Sequence, residues 1–146
     1  MAGVISRPEP ERAVRYLAFA KDYADAAGRI LLINRPDAAE MAYFALVAHG
    51  LELALKAILI ADGWDEERLM LMGHSLHRCC RAIDHGSLDL GVAISANDHA
   101  TIDALDCPHA MQCFRYPGLA PHDLPAPAAA HACLRRVLEV AAQRIY

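Results

Sequence analysis

Several features that would announce a familiar chemistry are missing from these 146 residues. The chain has no glycine-rich phosphate loop, no HExxH and no paired CxxC, and nothing in it has a local Ser-His-Asp or Cys-His nucleophile signature. Aromatic residues make up only 6% of the chain, while Ala and Leu abound, a balance that favours helices over sheets. Basic charge is also in short supply. A formal net charge of −4 excludes unspecific coating of nucleic acid, so any phosphate contact must come from a local cluster. The five cysteines are odd in number and no secretory signal leads the chain, which reads as reduced thiols in a cytoplasmic protein. His74 and His77 lie three apart without the companions a metal site needs, so no metal and no cofactor is expected. Internal repeats are absent, and an Ala/Pro patch at 125–130 is the sole biased run.

What is present is one long apolar stretch, Asp37 to Gly63, around which the rest is arranged. Its apolar residues fall on every side of a helix, so other elements must wrap it. His49, Glu52 and Lys56 interrupt it at spacings of three and four and therefore share one stripe. Asp37 with Glu40 reads as a capping-box start and Gly63 as a stop. The stretch is long enough to cross a membrane. Three ionisable residues near its middle oppose that, since a charge at a helix centre costs roughly 2.5–3.5 kcal/mol on insertion scales. The reading is a buried helix of a soluble protein, with no membrane partner.

The length suits a single domain, residues 10–146, behind a flexible N-terminal arm at 1–9. An amphipathic first helix is expected from Glu11 to Ile33, with Val14, Leu17, Ala18, Ala24 and Ala27 on one face. The short turn Asn34–Asp37 then makes the first two helices an antiparallel hairpin. After a charged piece at 64–73, further helices are expected over Ser75–His85 and from a Ser95 cap to Cys107, where Pro108 should end the helix. The stretch 109–127 reads as a long proline-rich loop, of a kind usually functional, with a type II turn at Tyr116-Pro117-Gly118. A last helix covers Ala128–Tyr146. The fold class is therefore all-α: an up-and-down bundle of about five helices with a long N-terminal hairpin.

Three groups of residues offer chemistry. Glu52 and Lys56 form an i, i+4 pair in the favourable order. On a covered helix that pair needs a further partner, an arginine or a bound phosphate, unless it serves packing alone. Gly73-His74-Ser75-Leu76 opens a helix, where exposed N–H groups either take a cap or favour an anion. Arg115 and His122 combine a phosphate-binding fork with a group that moves protons near neutral pH. Together they suit RNA cleavage without a metal, the histidine acting at the 2′-hydroxyl and the arginine steadying charge on phosphorus.

Taken in order, Gly50-Leu-Glu52-Leu-Ala-Leu-Lys56-Ala-Ile-Leu, Gly73-His74-Ser75-Leu76 and Arg115-Tyr116-Pro117 resemble a HEPN domain over roughly residues 10–146. The resemblance implies an all-α homodimer engaged with RNA or nucleotide, often beside a nucleotidyltransferase-type partner in toxin–antitoxin or defence systems. Many HEPN proteins are metal-independent endoribonucleases with an Arg-x(4–6)-His motif, and Arg115 and His122 are separated by six residues. The resemblance further implies a cleft lined by Glu52, Lys56 and His74; His49, on the same helix stripe, and Tyr116, beside the arginine, are candidate ligand-binding or supporting residues with them. A binding module for RNA or nucleotide phosphate is the leading expectation. The alternatives are a ribonuclease using Arg115 and His122 as its catalytic pair, and a structural dimerisation module.

Overall fold

A computed structural model describes residues 10–33, 39–86, 88–118 and 120–146. The proposed arm at 1–9 and the proposed Asp37 cap lie outside these residues. The fold is all-α, with no strand among the described residues. Seven helices follow one another among the described residues: α1 Pro10–Leu32, α2 Glu40–Ala61, α3 Glu66–Met72, α4 Leu76–Asp84, α5 Leu90–Ala93, α6 Ala96–Ala110 and α7 Pro127–Ile145.

The apolar stretch forms the central helix. On α2, Tyr43, Leu51, Ala57, Leu59 and Ile60 are buried although their positions fall on different sides of the axis. The helix is long and apolar enough to span a bilayer, and 67% of its most apolar window is covered by the fold itself. Its end is a Schellman motif: Gly63, at φ +99°, donates to Ile60 O and Trp64 N donates to Leu59 O.

Three long helices make the main layer. Arg12 near the start of α1 pairs with Glu66 just past the end of α2, and Tyr23 meets His49 at mid-length, so α1 and α2 run antiparallel. α7 runs the other way from α1. Its first residue, Pro127, accepts a hydrogen bond from Tyr43 near the start of α2, and Arg144 near its end pairs with Asp62. Gly50 lets these three helices meet: a Cβ there would sit 3.0 Å from Leu134 and 3.4 Å from Tyr23. The shorter helices α4 and α6 cover the remaining side of α2, with α5 packed against α4.

The helix count exceeds the expected five because two short helices carry too little apolar spacing to be seen as periodic. α3 is set by a cap, the Asp65 carboxylate accepting from Arg68 N. α5 is a single turn closed at its start by Asp84, which accepts from Leu90 N. The larger correction concerns Pro108. The helix does not stop at Cys107 but continues through the proline to Ala110. A proline inside a helix removes one backbone hydrogen bond. Compensation comes from a second Schellman-type closure, where Gln112, at φ +58°, donates to His109 O and Cys113 N donates to Pro108 O at 2.8 Å. Phe114 then turns inward to stack on Phe44, ring centroids 5.8 Å apart. Gly118 does not adopt a positive φ, so the expected type II geometry is not taken up there; the left-handed residues of this stretch are Gln112 and Asp123.

A buried acid fixes the start of α6. Asp98 completes a capping box with Ser95 and also receives Arg136 from α7, Nε at 2.6 Å and Nη2 at 2.5 Å. The Arg136 fork holds the Asp98 carboxyl below the usual carboxylate range.

Gly50→Val forces an isopropyl group, three extra carbons, between α1, α2 and α7. It should cost about 1–3 kcal/mol of stability, read as a lower urea midpoint; an unchanged midpoint would show that α1 and α7 can part without penalty.

Candidate functional site

The His49–Glu52–Lys56 stripe faces the shorter helices, not solvent. The Glu52 side chain is 5% exposed, and three groups from different parts of the chain converge on it. Lys56 Nζ donates to Oε2 at 2.9 Å. His109 Nε2 and His74 Nδ1 lie 2.7 and 3.0 Å from Oε1. An ionised carboxylate only accepts hydrogen bonds, so both facing ring nitrogens must carry their protons. The second ring nitrogens, Nδ1 of His109 and Nε2 of His74, are not engaged by Glu52.

Local geometry delivers each donor. Lys56 is one helical turn beyond Glu52 and also donates to Gly73 O at 2.9 Å. Gly73 takes φ +56°, ψ −134°, a backbone state reserved almost wholly for glycine. A Cβ at Gly73 would meet nothing within 4 Å, so its role is conformational. His74 follows at once, and Ser75 caps α4 by accepting from Arg78 N. His109 arrives only because α6 runs through Pro108.

The helix start at Ser75 had two readings, cap or anion site. Asp106 takes the anion's place: its Oδ1 accepts from Leu76 N at 2.7 Å and from His77 N and Ser75 Oγ at 3.3 Å. An aspartate of α6 therefore closes that terminus.

Beside the network lies a cavity of about 430 Å³. His49, His74 and His109 form one wall, Gln112 and Arg115 the opposite rim, and Ala45, Leu46 and Phe114 an apolar floor. Tyr23 meets His49 edge-on, ring centroids 4.7 Å apart. No carboxylate lines the cavity among the described residues. Burial lowers the His49 pKa by more than Glu52 raises it, so its imidazole is neutral at pH 7. Tyr116 is exposed at the rim, with the Arg115 guanidinium 5.8 Å from its ring centroid. His122, the proposed catalytic partner of Arg115, is exposed and is not among the cavity's lining residues.

His49, Glu52 and His109 place one ligand atom each within 4.8 Å of the others, a spacing a metal ion can use. Both Glu52 oxygens, however, are already held by Lys56, His74 and His109. A cation there would have to displace hydrogen-bond donors while sitting beside the Lys56 ammonium, so the donor set suits an anion-facing cavity better than a metal centre.

Three contributors escaped the sequence reading. His109 had been placed in a loop, although Ile102, Leu105 and His109 continue one helical stripe and only Pro108 argued against it. Gln112 and Tyr23 carried no signal, since their positions depend on a left-handed turn and on helix packing. Compared with protein-family models, curated proteins and solved structures, the chain matches none. Fold and site thus define an all-helical bundle whose central helix supplies a saturated buried carboxylate beneath a cavity rimmed by arginine.

Burial raises the Glu52 pKa, but the hydrogen bonds from His109, Lys56 and His74 outweigh it and bring it from 4.5 down to about 2. A carboxylate depressed on folding stabilises the fold above its unfolded pKa and loses that contribution as pH falls towards the folded value. The contribution, on the order of 3 kcal/mol, should be intact above about pH 4.5 and fade towards pH 2. Urea melts across pH 2.5–7 should show this slope in the wild type and a flatter profile in Glu52→Gln. Equal slopes would remove Glu52 as the source.

Proposed function

We propose that this protein is a HEPN-type module that binds the phosphate of RNA or of a nucleotide in the cavity beside Glu52. The observation that carries the reading is charge balance. The acid beside the cavity, Glu52, pairs with Lys56 and is enclosed by two imidazoles, while Arg115 lines the cavity with no carboxylate among the described lining residues. A guanidinium so placed presents a fork that matches phosphate geometry. A cavity of this size, with an apolar floor and few polar groups, fits a nucleotide-sized ligand. Support also comes from convergence: the residues that resemble the HEPN motifs, Glu52, Lys56, Gly73, His74 and Arg115, gather around one network although they span more than sixty positions.

The same reading includes a homodimer, supported by exposed Met111 and Tyr116 flanking Arg115, and a nucleotidyltransferase-type partner in a toxin–antitoxin or defence setting, supported by the resemblance alone. Endoribonuclease action is the second reading. Its favouring observation is that His74 and His109 share one Glu52 oxygen, each with a nitrogen left to take or give a proton. His122 would have to reach the cavity from outside its lining to serve in that role.

Arg115→Ala should weaken binding of a fluorescent ADP analogue and of single-stranded RNA at least tenfold, with His122→Ala near wild type in titrations at fixed salt. Wild-type protein that retains neither ligand would leave only the structural dimer, measurable by sedimentation. RNA cleavage that persists in EDTA and is lost on His74→Ala or Arg115→Ala would establish the ribonuclease.

A further inference from the structure

A second basic feature lies on α4, outside the cavity. His74, Arg78, Arg81 and His85 follow one another at spacings of four, three and four, so they line one side of α4 from the turn before it to its C-cap. The stripe is about 16 Å long at the helical rise. Its first member belongs to the cavity wall. Its last three line an open groove of about 440 Å³, together with Arg68, Trp64 and Met72.

The groove's arginines have no acid of their own. Arg68, Arg78 and Arg81 form no ion pair among the described residues. Of the neighbouring carboxylates, Asp65 caps α3, Asp84 accepts from Leu90 N and Asp62 pairs with Arg144, and neither these nor the exposed Glu67 forms an ion pair with the groove's arginines among the described residues. In a chain of net charge −4, three unpaired guanidiniums around one groove are a local concentration that packing does not require. The Arg68 guanidinium carbon lies 3.9 Å from the Trp64 ring centroid, close enough for the cation to stack on the indole. A nucleobase can stack on the other face of a guanidinium held in this way.

We propose that the Arg68–Arg78–Arg81 groove is a second phosphate subsite that receives the strand leaving the cavity, so the ligand is single-stranded RNA and not a mononucleotide. The inference deepens the phosphate-binding reading of the cavity and rests on it for the choice of RNA. The helix stripe supplies the path between the subsites, His74 standing at the cavity and Arg78 one turn further along. Forked donors suit successive phosphates, and the Arg68–Trp64 stack suits a base, which an acidic peptide does not offer.

The test uses the full chain with two probes, a non-cleavable 2′-O-methyl RNA 12-mer and a fluorescent ADP analogue. Arg78→Ala/Arg81→Ala should weaken the 12-mer at least tenfold and reduce its salt slope by about 1.4, while the ADP analogue binds as before. Arg78→Lys/Arg81→Lys should keep the slope. Both arginines are exposed, so thermal melts should match wild type and exclude misfolding. An unchanged 12-mer affinity and slope in the Ala variant overturns the groove and leaves the cavity reading intact. Displacement of the 12-mer by poly-glutamate at equal charge concentration also overturns it, in favour of an acidic protein partner. Retention of the 12-mer that needs Arg78 and Arg81 but not Arg115 supports the groove and sinks the cavity reading. Loss of both ligands in the wild type sinks both.

Discussion

A buried carboxylate, Glu52, is the constraint to which much of this structure answers. Withdrawing it from water costs several kcal/mol unless donors replace the lost hydration. α2 supplies one donor itself, Lys56, but the other two come from outside. His74 needs the unusual backbone at Gly73, and His109 needs α6 to pass through a proline. One acid therefore ties the central helix to the α3–α4 turn and to the end of α6. Those connections in turn place Gln112 and Arg115 over the cavity.

The network also explains why the cavity is suited to anions. With Glu52 saturated, its charge is largely spent within the protein, and the groups left to a ligand are imidazole nitrogens, an amide and a guanidinium. Asp106 does the same at the start of α4, where it fills a terminus that would otherwise attract an anion. Several other acids are likewise engaged with backbone or cationic groups, Asp65 and Asp84 at helix starts and Asp62 and Asp98 with arginines of α7. Among the described arginines that form no ion pair, Arg68, Arg78 and Arg81 gather at one groove and Arg115 lines the cavity, which is why the proposed phosphate sites fall there.

Much of the fold was legible before any coordinates. The all-round apolar pattern of 40–61 required a wrapped helix, because no partial face can bury residues at every angle. The spacing of His49, Glu52 and Lys56 put them on one stripe, and the burial of that helix implied that the stripe needed partners. Gly63 and Ser75 declared the helix boundaries they occupy. The failures share a cause. Locally Pro108 argues for a terminator, and tertiary contacts offset that rule. Residue types at Tyr116-Pro117-Gly118 favour a type II turn, while the chain places left-handed residues on either side of that run, at Gln112 and Asp123. α3 and α5 were too short for periodicity to register.

By itself, then, the sequence settled the helical class, the central rod, and the presence of a buried acid–base stripe, since each follows from periodicity and desolvation cost along a single segment. Only the tertiary structure decided which groups answer that stripe. His109, Tyr23, Gln112 and Arg115 are distant along the chain, and their meeting depends on helix packing angles and two left-handed or positive-φ residues. Short-range rules fix what a segment must hide; the identity of what hides it is a property of the whole fold.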